Sequence, residues 1–308
     1  MRRKAGKPRA AALLGVVIAL VAALAPASGG IPDRAVPAGA ATATVKIHHY
    51  NLCQGNFFCA SPRGAKYRQG ALDHLRASAA ADRPWFISVN EICRTDFERL
   101  RLDLKTEGVY QEADGRHPLC GSGGGSYGIA MFAPGGVIEK VKPIALPNPG
   151  LNCALQECRW ALCLRVTTYA GPMTACTAHL ETDGEVAPKQ ASVYYKEARA
   201  FDGEGGPGRR MVLAGDFNIT PDQLPPEFRD MVDLVQTGTD ADGEVIGTFP
   251  SWTRNGGGAK ATKHIDYILV ERGVGIPRSF YPYCSDPEHP DEPLIGSDHC
   301  FTKGYWEL

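Results

Sequence analysis

Past residue 25 the 308-residue sequence has no apolar run long enough to cross a bilayer, so the body of the chain offers no membrane-spanning helix. Paired C-x₂-C spacings are also missing, which removes the usual ligand pattern of a structural zinc site. No segment repeats and no long linker interrupts the chain, which argues for one domain rather than an array. Positive charge is not in excess. Residues 1–40 hold six of the 33 Lys/Arg and one of the 34 Asp/Glu, so the remainder carries 27 basic and 33 acidic residues. A net charge of about −6 gives no general attraction for polyanions, and contact with nucleic acid or anionic lipid would rest on local basic groups or a bound cation.

What is present begins with a leader-like segment. Residues 1–9 are basic, residues 10–25 are almost wholly apolar and small residues follow, the layout of a secretory signal peptide. The expected leader is residues 1–40, ending in the small-x-small stretch Ala38-Gly39-Ala40, with Ala25-Pro26-Ala27 and Ala41-Thr42-Ala43 as alternative cleavage sites. The remaining chain, 44–308, is then expected to be a single secreted domain with no stable membrane insertion, acting as a monomer. All ten cysteines lie beyond the leader, and an even number behind an export signal points to disulfides. Residues 159–167 and 172–180 read as a hairpin turning through Thr168-Tyr169-Ala170-Gly171, a register that sets Cys163 opposite Cys176. Cys53 with Cys59 and Cys153 with Cys158 are close enough in sequence to pair, and the other four are left unassigned.

Strand-like and helix-like runs alternate at first. Residues 45–51 and 84–91 read as buried strands around a helix over 66–81, where Tyr67, Ala71 and Leu75 fall on one face. A second helix is expected over 95–105, with Phe97, Leu100 and Leu104 on one face, and a third over 188–201, opened by Pro188. Residues 127–133, 137–144, 211–215, 264–270 and 300–306 read as further strands. Gly121–Gly125, Pro147–Cys158, Pro221–Pro226 and Gly256–Gly258 read as loops.

Six of these strands end in polar chemistry. Asn51 closes the first, Glu91 the second and His179 the hairpin; Gly215-Asp216-Phe217-Asn218, His264-Ile265-Asp266-Tyr267 and Ser297-Asp298-His299 supply the rest. In this order the motifs resemble the endonuclease/exonuclease/phosphatase superfamily, with its deoxyribonuclease I-like fold, in a secreted, bacterial-type member. The resemblance covers nearly all of the chain beyond the leader. It implies an α/β four-layer sandwich, two packed mixed β-sheets flanked by helices, with the active site at one end.

Hydrolysis of a phosphodiester needs an activated water, a counter-charge for the pentacoordinate phosphate and help for the leaving oxygen. The resemblance assigns His299 as general base, since imidazole titrates near neutrality, and Asp266 as the carboxylate that orients it. An ordinary surface ion pair of Asp266 with Lys263 or Arg272 is the plainer alternative. Glu91 is the leading metal ligand, with Asn51 completing or positioning that shell and Asp298 on the same or a second ion; Mg²⁺, or Mn²⁺ or Ca²⁺, suits such oxygen donors. Asn51 could instead be a turn residue. Asp216 and Asn218, on either side of Phe217, could point to the same side of an extended segment and serve the water, the metal or a phosphoryl oxygen, or simply form an Asx turn. His179 matches the nuclease-like and sphingomyelinase-like branches, where it assists at the phosphate or leaving group. Arg159, opposite it on the partner strand, is assigned to phosphate against the alternative of a surface guanidinium. No role is given to His48, His49, His74, His117, His264 or His289.

These readings point to a secreted divalent-metal-dependent phosphodiesterase acting on DNA or RNA. A sphingomyelinase-like or other phospholipid or phosphoester hydrolase on the same fold is the first alternative, with a lipid headgroup as partner. A catalytically silent binding protein is the second, and it conflicts with competent chemistry at every key position.

Overall fold

The computed structural model describes residues 43–55, 64–117, 120, 125–149, 157–235, 238–239, 245–251, 260–280, 282 and 297–308. The expected leader, Phe57-Phe58, Cys59, Cys153, Gly256–Gly258 and Cys284 lie outside them. In chain order the strands are β1 (Thr44–Asn51), β2 (Phe86–Cys93), β3 (Gly108–His117), β4 (Gly125–Phe132), β5 (Gly136–Ala145), β6 (Trp160–Thr168), β7 (Gly171–His179) and β8 (Arg210–Asp216). Then come β9 (Met231–Asp233), β10 (Gly238–Thr239), β11 (Val245–Ile246), β12 (Phe249–Ser251), β13 (Lys260–Lys263), β14 (Asp266–Glu271), β15 (Ile276–Ser279) and β16 (Thr302–Glu307). The helices are α1 (Gly64–Asp82), α2 (Arg94–Asp103) and α3 (Ala187–Gly203).

Two mixed six-stranded sheets form the body, in the orders β15-β16-β1-β2-β4-β3 and β5-β6-β7-β8-β14-β9. Alternation along each strand decides what faces what. On β1, Val45 and Ile47 enter the layer between the sheets, where they meet Phe86, Leu164, Ala175, Val212, Ile268 and Trp306. The intervening Tyr50 faces the other way, onto Leu72 and Leu75 of α1 and Phe97 and Leu100 of α2. On the second sheet Leu213 and Tyr267 face Tyr194, Ala198 and Phe201 of α3. Helices therefore cover both outer faces, giving the four-layer sandwich. Each large apolar side chain buried in these layers contributes roughly 1.5–3 kcal/mol.

The same period-two alternation positions the site. Continuing along the inner face past the apolar residues, β1 presents His49 and Asn51, β2 Ser88 and Asn90, β7 Thr177 and His179, β8 Asp216 and β14 Asp266, all buried. One end of the inter-sheet layer is thus apolar and the other polar.

The hairpin forms as expected, with Cys163 opposite Cys176 and a disulfide between them at a Cα–Cα distance of 4.1 Å. A second bridge, which the sequence left unassigned, joins Cys93 to Cys120. Cys53, Cys158 and Cys300 are also disulfide-bonded. Strand β3 escaped the sequence reading because Gly108–His117 mixes charged and polar residues without an apolar alternation; it is an edge strand, paired only with β4. The expected strand 264–270 begins two residues later, at Asp266, and the expected 300–306 at Thr302. Pro221 and Pro226 each open a short 3₁₀ turn within the stretch read as irregular.

Candidate active site

Local backbone features bring the polar ends together. The β2–β4 register slips between Val89 and Ile92, so Asn90 and Glu91 oppose the single residue Ile129. Glu91 sits in the left-handed region, φ 53°, which redirects its carboxylate toward the cavity. Gly215 has φ 141°, and a Cβ there would collide with the carbonyl oxygen of Ala178 on the parallel neighbour β7; only glycine permits the approach that sets Asp216 level with His179. Ser297 anchors the last motif, its hydroxyl donating to the Asn51 carbonyl at 2.6 Å and accepting from the His299 backbone N–H at 3.0 Å.

His299 Nδ1 lies 2.9 Å from Asp266 Oδ2, and its Nε2 faces Asp216 Oδ2 at 3.5 Å and Asp298 Oδ1 at 4.0 Å. The Phe249 ring covers the imidazole with centroids 4.8 Å apart. Burial by itself would lower the His299 pKa, but Asp266 and Asp216 outweigh it and hold it well above the ordinary 6.5. Burial pushes the other way on Asp266, and there the charge and hydrogen bond of His299 win, keeping the carboxyl ionised below its usual range. The surface-pair alternative for Asp266 is excluded by its complete burial.

Asn51 sits at the centre. Its Nδ2 donates to Glu91 Oε1 at 3.1 Å and Asp216 Oδ2 at 3.0 Å, while Oδ1 accepts from the Cys53 N–H at 2.9 Å. Asn51 is thus a turn residue that also contacts two carboxylates. Because the amide nitrogen faces the carboxylates, Asn51 positions oxygen donors here rather than supplying one.

Asp216 and Asn218 do not share one side of an extended segment. Asn218 is left-handed, φ 53°, its N–H donates to Asp216 Oδ1 at 3.0 Å and its Nδ2 to the Leu180 carbonyl at 3.0 Å, so the segment is an Asx turn. The turn follows from the polar side chain of Asp216 capturing the backbone two residues on, and Asn218 still lines the cavity.

On the opposite wall His179 Nε2 lies 3.8 Å from Glu91 Oε1 and 3.7 Å from Asp216 Oδ2. Burial, then the charge of Arg159, holds its pKa well below 6.5, so the imidazole is neutral. Arg159 Nη1 lies 2.9 Å from His179 Nδ1 and 3.1 Å from Nε2, so the guanidinium reaches both ring nitrogens. Arg159 reaches the cavity as expected, but its charge is committed to Glu157 at 2.7 Å and Glu181 at 3.4 Å. Glu157, 3.7 Å from His179 Nδ1, was missed because it falls in a segment read as a loop. Tyr127 is buried and hydrogen-bonded to Glu91.

These groups, apart from Asn51 and Asp266 behind them, line a cavity of about 360 Å³. The carboxylates of Glu91, Asp216 and Asp298 crowd it; burial, then repulsion from Asp266 and Glu91, raises the pKa of Asp216, and burial, then repulsion from Glu91 and Asp266, raises that of Asp298. Asp216, Asp266 and His299 hold ligand-type atoms within 4.8 Å of one another. An oxygen-rich, negatively charged pocket fits a hard divalent cation, which would relieve that repulsion. With Asp266 and His299 engaged to each other, Glu91, Asp298 and Asp216 are the groups best placed to hold it.

An imidazole–carboxylate pair facing clustered oxygen donors, with a neutral histidine across the cavity, is the constellation of a phosphoester hydrolase. The sequence profile of the Endonuclease/Exonuclease/phosphatase family matches residues 50–299, and the chain belongs to that family of metal-dependent hydrolases of phosphoester bonds. No curated protein matches the sequence. Among solved structures, truncated TDP2 from Caenorhabditis elegans is similar at a TM-score of 0.61 and 14% identity, covering 86% of this chain and 98% of that one. An endonuclease/exonuclease/phosphatase protein from Bacteroides vulgatus gives 0.62 and 20%, over 86% and 99% of the two chains. A mannosyl-6-phosphatase from Bacteroides thetaiotaomicron gives 0.61 and 15%, over 84% and 98%. At these identities the likeness is one of fold.

Proposed function

We propose that the protein is a secreted, divalent-metal-dependent phosphodiesterase that hydrolyses DNA or RNA. The observation that carries this reading is the buried His299–Asp266 pair, 2.9 Å apart, whose free imidazole nitrogen faces the same cavity as Glu91 and His179. His299 Nε2 accepts the proton of the attacking water, and Asp266 holds Nδ1–H and stabilises the imidazolium that results. His179, its pKa lowered by burial and Arg159, assists at a phosphoryl or leaving oxygen from the opposite wall. Asn51 keeps Glu91 and Asp216 in register. A cation such as Mg²⁺, held by Glu91 and Asp298 with Asp216 adjacent, would supply counter-charge to the phosphoryl oxygens. The leader-like residues 1–40 support export, and the disulfides agree with an oxidising destination.

The test incubates the purified protein with plasmid DNA, RNA, sphingomyelin and phosphomonoesters, each with Mg²⁺, Mn²⁺, Ca²⁺ or chelator. Cation-dependent cleavage of polynucleotide is expected; turnover of lipid or monoester alone would overturn the nuclease assignment.

A further inference from the structure

Among the described residues the proposed mechanism leaves three buried histidines unused, His48, His49 and His264, and one of them touches Asp266. His49 continues the inner face of β1 after Val45 and Ile47, is fully buried, and its Nε2 lies 3.1 Å from Asp266 Oδ1. That oxygen also lies 3.1 Å from His299 Nδ1, so two imidazoles converge on one carboxylate.

Behind His49 runs a chain of hydrogen bonds that crosses repeatedly between the two sheets. The Asp216 N–H donates to Asn90 Oδ1 at 2.7 Å, and Asn90 Nδ2 donates to Thr177 Oγ1 at 3.3 Å. Thr177 Oγ1 lies 2.6 Å from Ser88 Oγ, which lies 2.8 Å from His49 Nδ1. The two ends of the chain, a backbone N–H that only donates and an ionised carboxylate that only accepts, set the direction of its links. A backbone N–H only donates, so the Asn90 oxygen is spent as acceptor and its amide gives to Thr177. The Thr177 hydroxyl, having accepted, passes its proton toward Ser88, and Ser88 passes its own to His49 Nδ1. Nδ1 is then an acceptor and the His49 proton resides on Nε2, facing the carboxylate. The Asp266 carboxylate only accepts, so His49 gives its Nε2 proton there, Nδ1 is left to accept from Ser88, and Ser88, its own proton spent, accepts from Thr177. Six residues are satisfied by one direction of flow, joining Asp216 to Asp266 through the interior.

We infer that His49 is a positioning residue: its Nε2–H, fixed in that tautomer by Ser88, Thr177 and Asn90, clamps the Asp266 carboxylate in the orientation that aims His299 into the cavity. The inference rests on the reading of His299 as base. A polar chain of this kind in the inter-sheet layer has a cost that apolar packing would not, since every member must be satisfied. It also gives what apolar packing lacks, a preferred angle for the carboxylate.

The experiment measures hydrolysis of bis(4-nitrophenyl) phosphate with Mg²⁺ by wild type, His49→Leu, His49→Gln, Thr177→Val and His299→Ala. Leucine fills the space and donates nothing; glutamine retains an N–H toward Asp266. His49→Leu is expected to lower kcat roughly tenfold to a hundredfold, the usual effect of removing a partner that orients a catalytic group, with KM little changed. His49→Gln should recover most of the loss. Equal activity of the leucine and glutamine variants, or wild-type kcat in a folded leucine variant, overturns the inference. Should His49→Leu fail to fold, Thr177→Val takes its place, cutting the chain away from the reacting atoms, and wild-type kcat there is equally fatal. Histidine ¹⁵N spectra of the wild type give a reading independent of turnover: a proton on His49 Nε2 is expected, and the opposite tautomer refutes the assignment. Activity retained in His299→Ala removes the base itself, whereas a dead His299→Ala beside an undiminished His49→Leu removes only the positioning role.

Discussion

Acid should destabilise this protein through a residue that takes no part in the chemistry. His48 lies on the outer face of β1, fully buried against the edge of the Phe301 ring, with Nε2 3.1 Å from Asp82 at the end of α1. Its Nδ1 has no hydrogen-bond partner among the described residues. A cationic His48 would leave an N–H donor stranded there, and burial accordingly lowers its pKa from 6.5 to about 4, against the pull of Asp82 and with help from Lys303 and Lys46. The folded-state value lies below the unfolded one, so the unfolded chain binds the proton more readily. Stability from this site is therefore complete above pH 6.5 and is lost as pH falls toward 4. The depression corresponds to about 3 kcal/mol at pH 4 and about 2 kcal/mol at pH 5. Urea unfolding of wild type and His48→Gln at intervals from pH 7 to pH 4 isolates the effect, since other titrating groups cancel in the difference. The wild type should lose about 3 kcal/mol more than the variant across that range. Parallel stability profiles for the two proteins would show that His48 is charged or hydrated in the fold, and the reasoning from burial would fail.

Three further outcomes are expected. Glu91→Gln should abolish cation-dependent hydrolysis and flatten the rise in melting temperature on adding Mg²⁺; at a hundredfold excess over Kd that rise corresponds to about 2.7 kcal/mol in the wild type, and an unchanged rise in the variant would move the cation elsewhere. The acid limb of the pH–rate profile should fall above 6.5, because Asp266 and Asp216 favour protonated His299 and activity grows as that proton leaves; a flat profile down to pH 5 would contradict His299 as base. Replacing Cys163 and Cys176 together by alanine should cost about 3 kcal/mol of stability without reducing kcat, as read by chemical denaturation and turnover; a large loss of activity in the folded variant would tie the hairpin to the site.

Much of the site was legible because its residues flank runs of apolar alternation. Asn51, His179 and Asp216 end their strands, Asp266 begins one, Glu91 sits at the bulge of β2 and His299 lies just ahead of β16, and all reach one cavity or its immediate backing. His49 was discounted as a scattered histidine, although it lies two residues beyond Ile47 on the face that carries Asn51; phase along the strand was the signal that could have found it. Ser88, Asn90 and Thr177 follow by the same phase from Phe86 and Ala175. Strand β3 left no such mark, since an edge strand with polar residues has no buried face to advertise. The Asx turn at Asn218 was one of the two readings of Asp216-Phe217-Asn218, whereas the bulge at Glu91 was hidden for another reason. The left-handed backbone of Glu91 is set by tertiary register, which its side-chain pattern does not report.

Glu91 and Asn218 both adopt left-handed torsions that glycine would accept without strain, and each such residue costs about 1 kcal/mol or more. Selection for durability and selection for turnover thus pull in opposite directions at these two places. A descendant freed from its chemistry would be expected to drift toward glycine there before anywhere else, growing sturdier as it fell silent. Glycine at either position in a homologous gene would mark a lineage that has kept the scaffold and given up the reaction.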